Sequence, residues 1–241
     1  MAYSPAAHRH GSRGTRRRGA GHGPLLGPLL VFCGVLLVAA GYVAYVLWPR
    51  WPEVPVSLDA PALPIVVAGE TFNIEPAAIR QAIERHAGQQ RRVDLVYLWP
   101  SLKPPDPAIK PKPGAPLDPD KRLFATIAVS DGALPLPDRL KEIYPRYLAT
   151  QISEGAPGLT LRPFRDDTPY KDEELAYETQ APEHFLARCT RHGVTNNGNC
   201  LLERHIGGAE ITFRFPRDWL KDWRGVAAGI DKLLARLHPK S

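Results

Sequence analysis

The densest cluster of chemically active side chains lies in the C-terminal part of the chain. Cys189, His192, Cys200 and His205 fall within one short stretch, and His184 lies just upstream. Cysteine thiolates and histidine nitrogens are ligands of structural zinc sites, which usually take four of them. Paired cysteines also serve in redox sites as Cys-x-x-Cys, or they close a disulfide. The sequence therefore presents three hypotheses: a metal site, a redox site and a disulfide.

Strand alternation places these cysteines and histidines on different faces of a predicted hairpin. Gly207-Gly208 suits a two-residue turn, which pairs His205 with Glu210. Because side chains alternate along a strand, the core face carries Cys200, Leu202, Ile206, Ile211, Phe213 and Phe215, and the polar face carries Glu203, His205, Glu210, Thr212 and Arg214. Cys200 and His205 lie an odd number of residues apart. We therefore predict neither a metal centre nor a cofactor from the cysteine–histidine cluster.

We predict a disulfide between Cys189 and Cys200. The chain has no Cys-x-x-Cys pair, and the topology argued below exports this region to an oxidising compartment, where cysteines normally pair. The Asn197-Gly198 dipeptide conflicts with this prediction, because a tight turn there would pair Cys200 with Thr195 and separate the cysteines by roughly 20 Å. A disulfide needs Cα atoms within about 7 Å. We therefore expect an irregular loop between the two cysteines.

The polar face of the hairpin carries an alternative site. The disulfide register sets His184 opposite His205, which already faces Glu210. Two imidazoles and a carboxylate can bind zinc or copper, or perform acid–base chemistry in hydrolysis. The simpler interpretation is a solvated polar face. We therefore predict no metal site and keep His184, His205 and Glu210 as the alternative candidates.

Other catalytic signatures are missing from the sequence. It has no Gly-x-Ser-x-Gly elbow, no His-Glu-x-x-His motif and no glycine-rich phosphate loop. Acidic clusters at residues 166–167 and 172–174 are predicted to be solvated, as charge runs in turn-rich segments usually are. The sequence thus favours a non-enzymatic protein, and we assign no catalytic residue.

The positive charge is concentrated at the N-terminus. The net charge is +6, and residues 1–23 contain five arginines and no acid. A nucleic-acid-binding domain needs a basic face on its folded part, so nucleic acid is not an expected partner. The next segment, residues 24–48, is uncharged and longer than the about 20 residues needed to cross a bilayer. We predict an uncleaved transmembrane helix, because a signal-peptide apolar region is usually shorter.

The charge that flanks this segment predicts its orientation. Basic residues stay on the cytoplasmic side of the inner membrane, so residues 1–23 form a cytoplasmic tail and the C-terminal domain is periplasmic. Gly27, Gly34 and Gly41 recur every seven residues and form a small-residue stripe. Such stripes allow close helix packing, so the candidate partners of the helix are the lipid bilayer and a second copy in a homodimer.

Proline-rich segments divide the rest of the chain. Residues 49–64 are predicted to form an extended stalk between the membrane and a single domain, residues 65–241. Residues 100–120 interrupt that domain with a second proline-rich stretch, which is too long for an ordinary hairpin loop. This loop is either a surface excursion or a preformed proline-rich ligand for a partner.

The domain is predicted to be α+β. Strands are expected at residues 64–69, 93–99 and 122–130, with helices at 75–88 and 137–144 and five closely spaced strands between 158 and 215. Their connections are too short for parallel crossovers. The chain ends in an amphipathic helix with Trp219, Trp223, Val226, Ile230, Leu234 and Leu237 on one face. We predict an antiparallel sheet with this C-terminal helix packed on one face.

Three stretches carry a family resemblance: VDLVYLWPSLKPPDP, RCTRHGVTNNGNCLLERHIGG and FRFPRDWLKDWRGVAAGIDKLLA. They resemble a family of uncharacterised single-span bacterial envelope proteins, a likeness that implies membrane anchoring and brings no activity. The layout favours an interaction or accessory module of the cell envelope that binds an envelope protein. An immunity-type protein that binds a toxin fits the same layout. A metal-binding or hydrolytic periplasmic domain using the three polar-face candidates is the other alternative.

Overall fold

A computed structural model describes residues 23–47, 56–109, 121–194 and 198–239. The helices are α1 (Gly23–Leu47), α2 (Leu136–Glu142) and α3 (Trp223–Leu237). The strands are β1 (Leu63–Val67), β2 (Glu70–Ile74), β3 (Gly88–Gln89), β4 (Arg92–Leu98), β5 (Arg122–Val129), β6 (Ser153–Glu154), β7 (Leu159–Pro163), β8 (Glu173–Glu178), β9 (Leu186–Thr190), β10 (Asn199–Ile206) and β11 (Ala209–Pro216). The chain divides into two compact units, Met1–Arg50 and Trp51–Ser241.

The first unit contains the apolar helix α1. Its stretch Gly27–Val46 is long and apolar enough to cross a membrane, a test that a signal sequence also passes. A Cβ added at Gly27, Gly34 or Gly41 would meet nothing within 4 Å, so the predicted stripe faces open space. Residues 1–22 of the predicted basic tail, residue 48 at the end of the predicted helix and residues 49–55 of the predicted stalk lie outside the described residues.

The second unit is built on an eight-stranded antiparallel sheet with the order β4-β5-β11-β10-β9-β8-β7-β6. The predicted α+β fold is confirmed. From β6 to β11, each strand pairs with the next one along the chain, because the connections between them are too short for parallel crossovers. All five strands expected between residues 158 and 215 are present.

The segment after β2 differs from the predicted helix at residues 75–88. It forms two short 3-10 helices, Pro76–Ala78 and Ala82–Glu84, and the side chain of Ile83 is exposed rather than buried. Between them the backbone amide of Arg80 donates to the carbonyl of Asp94, at the free edge of β4. This pairing with β4 occupies backbone groups that a continuous helix would need, so the helix is interrupted.

Helix α3 packs on one face of the sheet, as predicted. Asp222 caps its first turn by accepting a hydrogen bond from the Gly225 amide. The buried face consists of Trp223, Val226, Ile230, Leu233 and Leu237. Leu233 therefore occupies the core position that the sequence assigned to Leu234. Leu233 lies three residues after Ile230 and four before Leu237, which is the spacing of the buried face, whereas Leu234 is partly buried and packs against the core.

A second apolar cluster covers the opposite face of β8 and β9. It consists of Leu136, Tyr144, Leu148, Phe164, Leu175 and Leu186. Ala176 and Ala187, the next residues along the same strands, belong to the main core beneath α3. Because neighbouring side chains point to opposite faces, β8 and β9 are covered on both sides. The outer face of β4, β5, β11 and β10 carries the polar side chains described next.

Candidate functional site

Cys189 and Cys200 form a disulfide at directly opposed positions of β9 and β10. Their Cα atoms lie 4.0 Å apart, and both residues are buried in the main core. The alternative register that paired Cys200 with Thr195 is excluded, because the strand partner of Cys200 on this side is Cys189. The turn predicted at Asn197 lies in residues 195–197, outside the described part of the chain.

The structure separates the two histidines of the alternative metal site. Strand β9 begins at Leu186, so its pairing with β10 does not extend to His184. His184 lies in the β8–β9 connection, with Nδ1 3.5 Å from Oε2 of Glu178. His205 instead has Nε2 3.7 Å from Oε2 of Glu210. Within the described ranges, no three His, Cys, Asp or Glu side chains are grouped so that they could hold a metal ion.

Two polar rows cross the outer face of the central strands. The first row is Asp94, Thr126, Thr212 and Glu203, and the second is Arg92, Ala128, Glu210 and His205. Both rows run across β4, β5, β11 and β10 in that order. The hairpin register predicted from Gly207-Gly208 is the one observed, so sequence reasoning placed the β10 and β11 members of these rows correctly.

Asp94 is a buried carboxylate at the β4 end of the first row, with 5% of its surface exposed. It accepts hydrogen bonds from Thr126 Oγ1 at 2.7 Å, from Arg92 Nη2 at 2.9 Å and from Gln81 Nε2 at 3.3 Å. Burial alone would raise the pKa of Asp94, but these hydrogen bonds outweigh it and hold that pKa below its usual value. Sequence reasoning missed this residue, although one acid in the apolar run VDLVYLW was an available signal.

Glu203 lies at the β10 end of the first row beneath α2. Arg139 of α2 forms an ion pair with its carboxylate, and Arg139 Nη1 also donates to the Tyr144 hydroxyl at 3.4 Å. Burial raises the pKa of Glu203, although the Arg139 guanidinium opposes the shift, and the nearby Glu210 carboxylate adds to it. The sequence placed Glu203 on this face but gave no sign that α2 would supply its counterion.

A third carboxylate is buried on the core side of the sheet. Glu174 lies opposite Cys189 in the β8–β9 pair and forms an ion pair with Arg217, which begins the 3-10 helix before α3. The sequence assigned residues 172–174 to a solvated cluster, and for Glu174 this is wrong. Glu174 is the second residue of β8, and alternation along the strand turns its side chain to the core side, whereas Glu173 before it faces the opposite side of the sheet.

These contacts define what the described side chains can do. Asp94, Glu174 and Glu203 each have an arginine as partner, so their negative charges are neutralised within the fold. The lowered pKa of Asp94 makes this carboxylate poorly suited to exchange protons with a substrate near neutral pH, whereas burial raises the pKa of Glu203 despite its arginine. The His205–Glu210 pair is the one predicted polar-face contact that the structure brings together.

Comparison with known proteins shows similarity in fold. No protein-family model and no curated protein matches the chain. Smlt3025, an immunity protein of the Stenotrophomonas maltophilia type IV secretion system, superposes with a TM-score of 0.53 at 15% identity, over 75% of this chain and 94% of that one. The Neisseria meningitidis iron-regulated outer membrane lipoprotein FrpD gives a TM-score of 0.48 at 10% identity, over 78% and 97%.

Proposed function

We propose that this chain is a non-enzymatic binding module of the bacterial cell envelope, anchored by α1, whose sheet domain binds a protein partner. The observation that carries the proposal is the pairing of Asp94, Glu174 and Glu203 with arginines. These ion pairs use the three carboxylates to connect elements of the fold. The domain would then interact with other molecules through its surface.

The likeness to the immunity protein supports a protein partner. It extends over 94% of that protein, so the two share the architecture of the whole domain. We infer that the present chain acts in the same manner, by binding another protein of the envelope or a toxin. This keeps both functions that the sequence favoured, since an immunity protein is one kind of interaction module.

The N-terminal features support the envelope location. Helix α1 can cross a bilayer, and the arginine-rich segment before it favours a cytoplasmic N-terminus. A periplasmic domain is consistent with the buried Cys189–Cys200 disulfide, because disulfides persist in oxidising compartments. The same layout agrees with the family of single-span envelope proteins that the sequence resembles, and we propose membership of that family.

One contact favours the alternative of a metal-binding or hydrolytic domain. His205 and Glu210 lie close enough for an ion pair, and a histidine next to a carboxylate is a common acid–base and metal-ligand arrangement. The structure gives this alternative less support than the sequence did. His184 lies next to Glu178 instead, and two side chains do not complete a zinc site.

Cross-linking in cells tests the proposed function. The full-length protein is produced in its native host, and spheroplasts are treated with a membrane-impermeant, amine-reactive cross-linker. We expect one discrete adduct, with a single protein partner identified by mass spectrometry in a stoichiometric ratio. The His205→Ala/Glu210→Ala double variant serves as the matched control and keeps the adduct.

A different pattern would favour the alternative. If no protein adduct forms while the purified full-length protein binds Zn²⁺ or Cu²⁺ at micromolar concentration, and the double variant does not, the domain is a metal-binding protein and the proposal fails. Metal titration followed by calorimetry gives this second measurement on the same preparation.

A further inference from the structure

The aromatic ring of Phe124 on β5 is flanked by two guanidinium groups. The Cζ atom of Arg80 lies 5.1 Å from the ring centroid, and that of Arg214 lies 4.9 Å from it. Arg214 belongs to β11, on one side of β5, and Arg80 belongs to the segment beside β4, on the other. Both contacts fall within the about 6 Å range of cation–π attraction, which holds the guanidiniums over the ring.

These two arginines differ from the arginines that stabilise the fold. Arg92, Arg139 and Arg217 each bind a carboxylate, whereas Arg80 and Arg214 make no ion pair with any residue in the described part of the chain. Both are exposed. A guanidinium held over a ring by cation–π attraction still has N–H groups that can bind the two oxygens of a carboxylate.

A third arginine extends the same surface. Arg122 is two residues before Phe124 on β5, so it points to the same outer face, and it too forms no ion pair within the described ranges. Two acids lie on or beside β4 next to this surface, and one of them, Glu84, interacts electrostatically with Arg80 without forming an ion pair. Asp94 is buried and accepts from Arg92, and Glu84 accepts a hydrogen bond from the Asp94 amide. The three arginines outnumber the one half-buried carboxylate of Glu84, so this surface carries a net positive charge.

We propose that this arginine–phenylalanine patch, formed by Arg80, Arg122, Phe124 and Arg214, is the docking surface for an acidic segment of the protein partner. The proposal rests on the proposed function, because it names the surface through which the partner binds. Arginine and aromatic residues are the side chains most often found at the energetic centre of protein interfaces. Opposite charge on the partner would accelerate association and fix its orientation.

The composition of the patch favours a protein over a lipid surface. Phe124 is half-buried and has the guanidinium groups of Arg80 and Arg214 near its ring, so none of the four patch residues is an exposed large apolar side chain. Membrane-binding surfaces combine basic residues with exposed apolar side chains that enter the headgroup region. A carboxylate-bearing protein segment needs no such insertion.

Site-specific photocross-linking in cells tests the patch. p-Benzoylphenylalanine is placed in the full-length chain at Thr212, which neighbours Arg214 on the same face, or at the exposed control position Glu183 in the β8–β9 connection. We expect a protein adduct from position 212. Arg80→Glu/Arg214→Glu should lower its yield about tenfold or more, because two attractive charges become repulsive. The control Lys141→Glu/Arg146→Glu, an equal charge change at exposed positions elsewhere, should leave the yield unchanged.

The remaining outcomes separate this inference from the proposed function. A protein adduct from position 183 alone, or one from position 212 that survives the charge reversal, overturns the patch and leaves the binding function standing. An adduct to phospholipid, or to residues 110–120 of the same chain, also overturns it. Absence of protein adducts from both positions contradicts the proposed function itself. The milder Arg80→Gln/Arg214→Gln variant, with an unchanged thermal midpoint, shows that the loss does not come from unfolding.

Discussion

Asp94 shows how the sheet accommodates a charge in an apolar strand. Its carboxylate receives hydrogen bonds from a neighbouring strand, from its own strand and from the 3-10 segment beside β4. Each bond replaces water that the carboxylate loses on burial, so the charged form is retained. Glu203 shows the opposite balance, since burial dominates and raises its pKa despite Arg139. The two acids of one row therefore respond differently to pH.

Replacing Asp94 tests this account at the residue scale. Asp94→Asn keeps the shape but removes the charge that binds Arg92, and we expect the free energy of unfolding at pH 7 to fall by about 2–3 kcal/mol. Because the folded-state pKa of Asp94 is below its usual 3.8, its stabilisation is present above pH 3.8 and is lost as the pH falls further. Urea denaturation at several pH values measures the difference.

The pH dependence supplies the control for Asp94→Asn. The difference in the free energy of unfolding between the wild type and Asp94→Asn should stay constant from pH 7 to about pH 5 and become smaller below pH 4. Thr168→Val, in the β7–β8 turn, serves as a matched loss of a buried polar group without charge, and its effect should not vary with pH in this range. If the difference in the free energy of unfolding between the wild type and Asp94→Asn increased on acidification, ionised Asp94 would not be the stabilising form.

At the scale of elements, local patterns predicted the hairpin and failed for the segment after β2. The β10–β11 register follows from alternation and from Gly207, whose φ of +54° suits glycine in a tight turn. The two 3-10 helices at residues 76–84 could not be predicted in this way, because pairing with β4 interrupts them. Arg139 was equally hidden, since its contact with Glu203 depends on where α2 lies over the sheet.

The disulfide joins directly opposed residues of β9 and β10 and stabilises this pair of strands. Cys189 and Cys200 are 11 residues apart in sequence, and a cross-link of this size contributes about 2–3 kcal/mol on the chain-entropy account. We expect reduction of the wild-type protein to lower the free energy of unfolding by this amount. Guanidinium denaturation with and without reductant measures it, and reduction keeps the core volume unchanged.

The Cys189→Ala/Cys200→Ala variant distinguishes the effect of the cross-link on stability from the effect of the two buried sulfur atoms. Its stability should be insensitive to reductant and somewhat lower than that of the reduced wild type, because two buried sulfur atoms are lost. Equal stability of oxidised and reduced wild type would show that the cross-link adds nothing to the folded domain.

At the scale of the whole molecule, composition predicted more than motifs did. The uncharged run and the short strands with close connections were sufficient to predict α1 and the antiparallel sheet. The arginine–phenylalanine patch could not be predicted, because Arg80, Phe124 and Arg214 are distant in sequence and meet only through the strand order β4-β5-β11. Cysteines and histidines close in sequence suggested one site, but the fold pairs the two cysteines in a disulfide and separates His184 from His205.

The predicted topology of the whole chain can be measured with C-terminal fusions. Alkaline phosphatase, which is active only after export, should be active when fused after Ser241, and a cytoplasmic fluorescent reporter at the same place should be dark. The chain should keep its full length and remain in membranes after carbonate washing, because an uncleaved α1 anchors it.

Replacing the five N-terminal arginines with glutamine should reduce the exported fraction, whereas five glutamines in place of exposed arginines of the sheet domain should not. A shortened, released product would identify α1 as a cleaved signal sequence, and an inactive phosphatase fusion would reverse the orientation and place the disulfide in a reducing compartment.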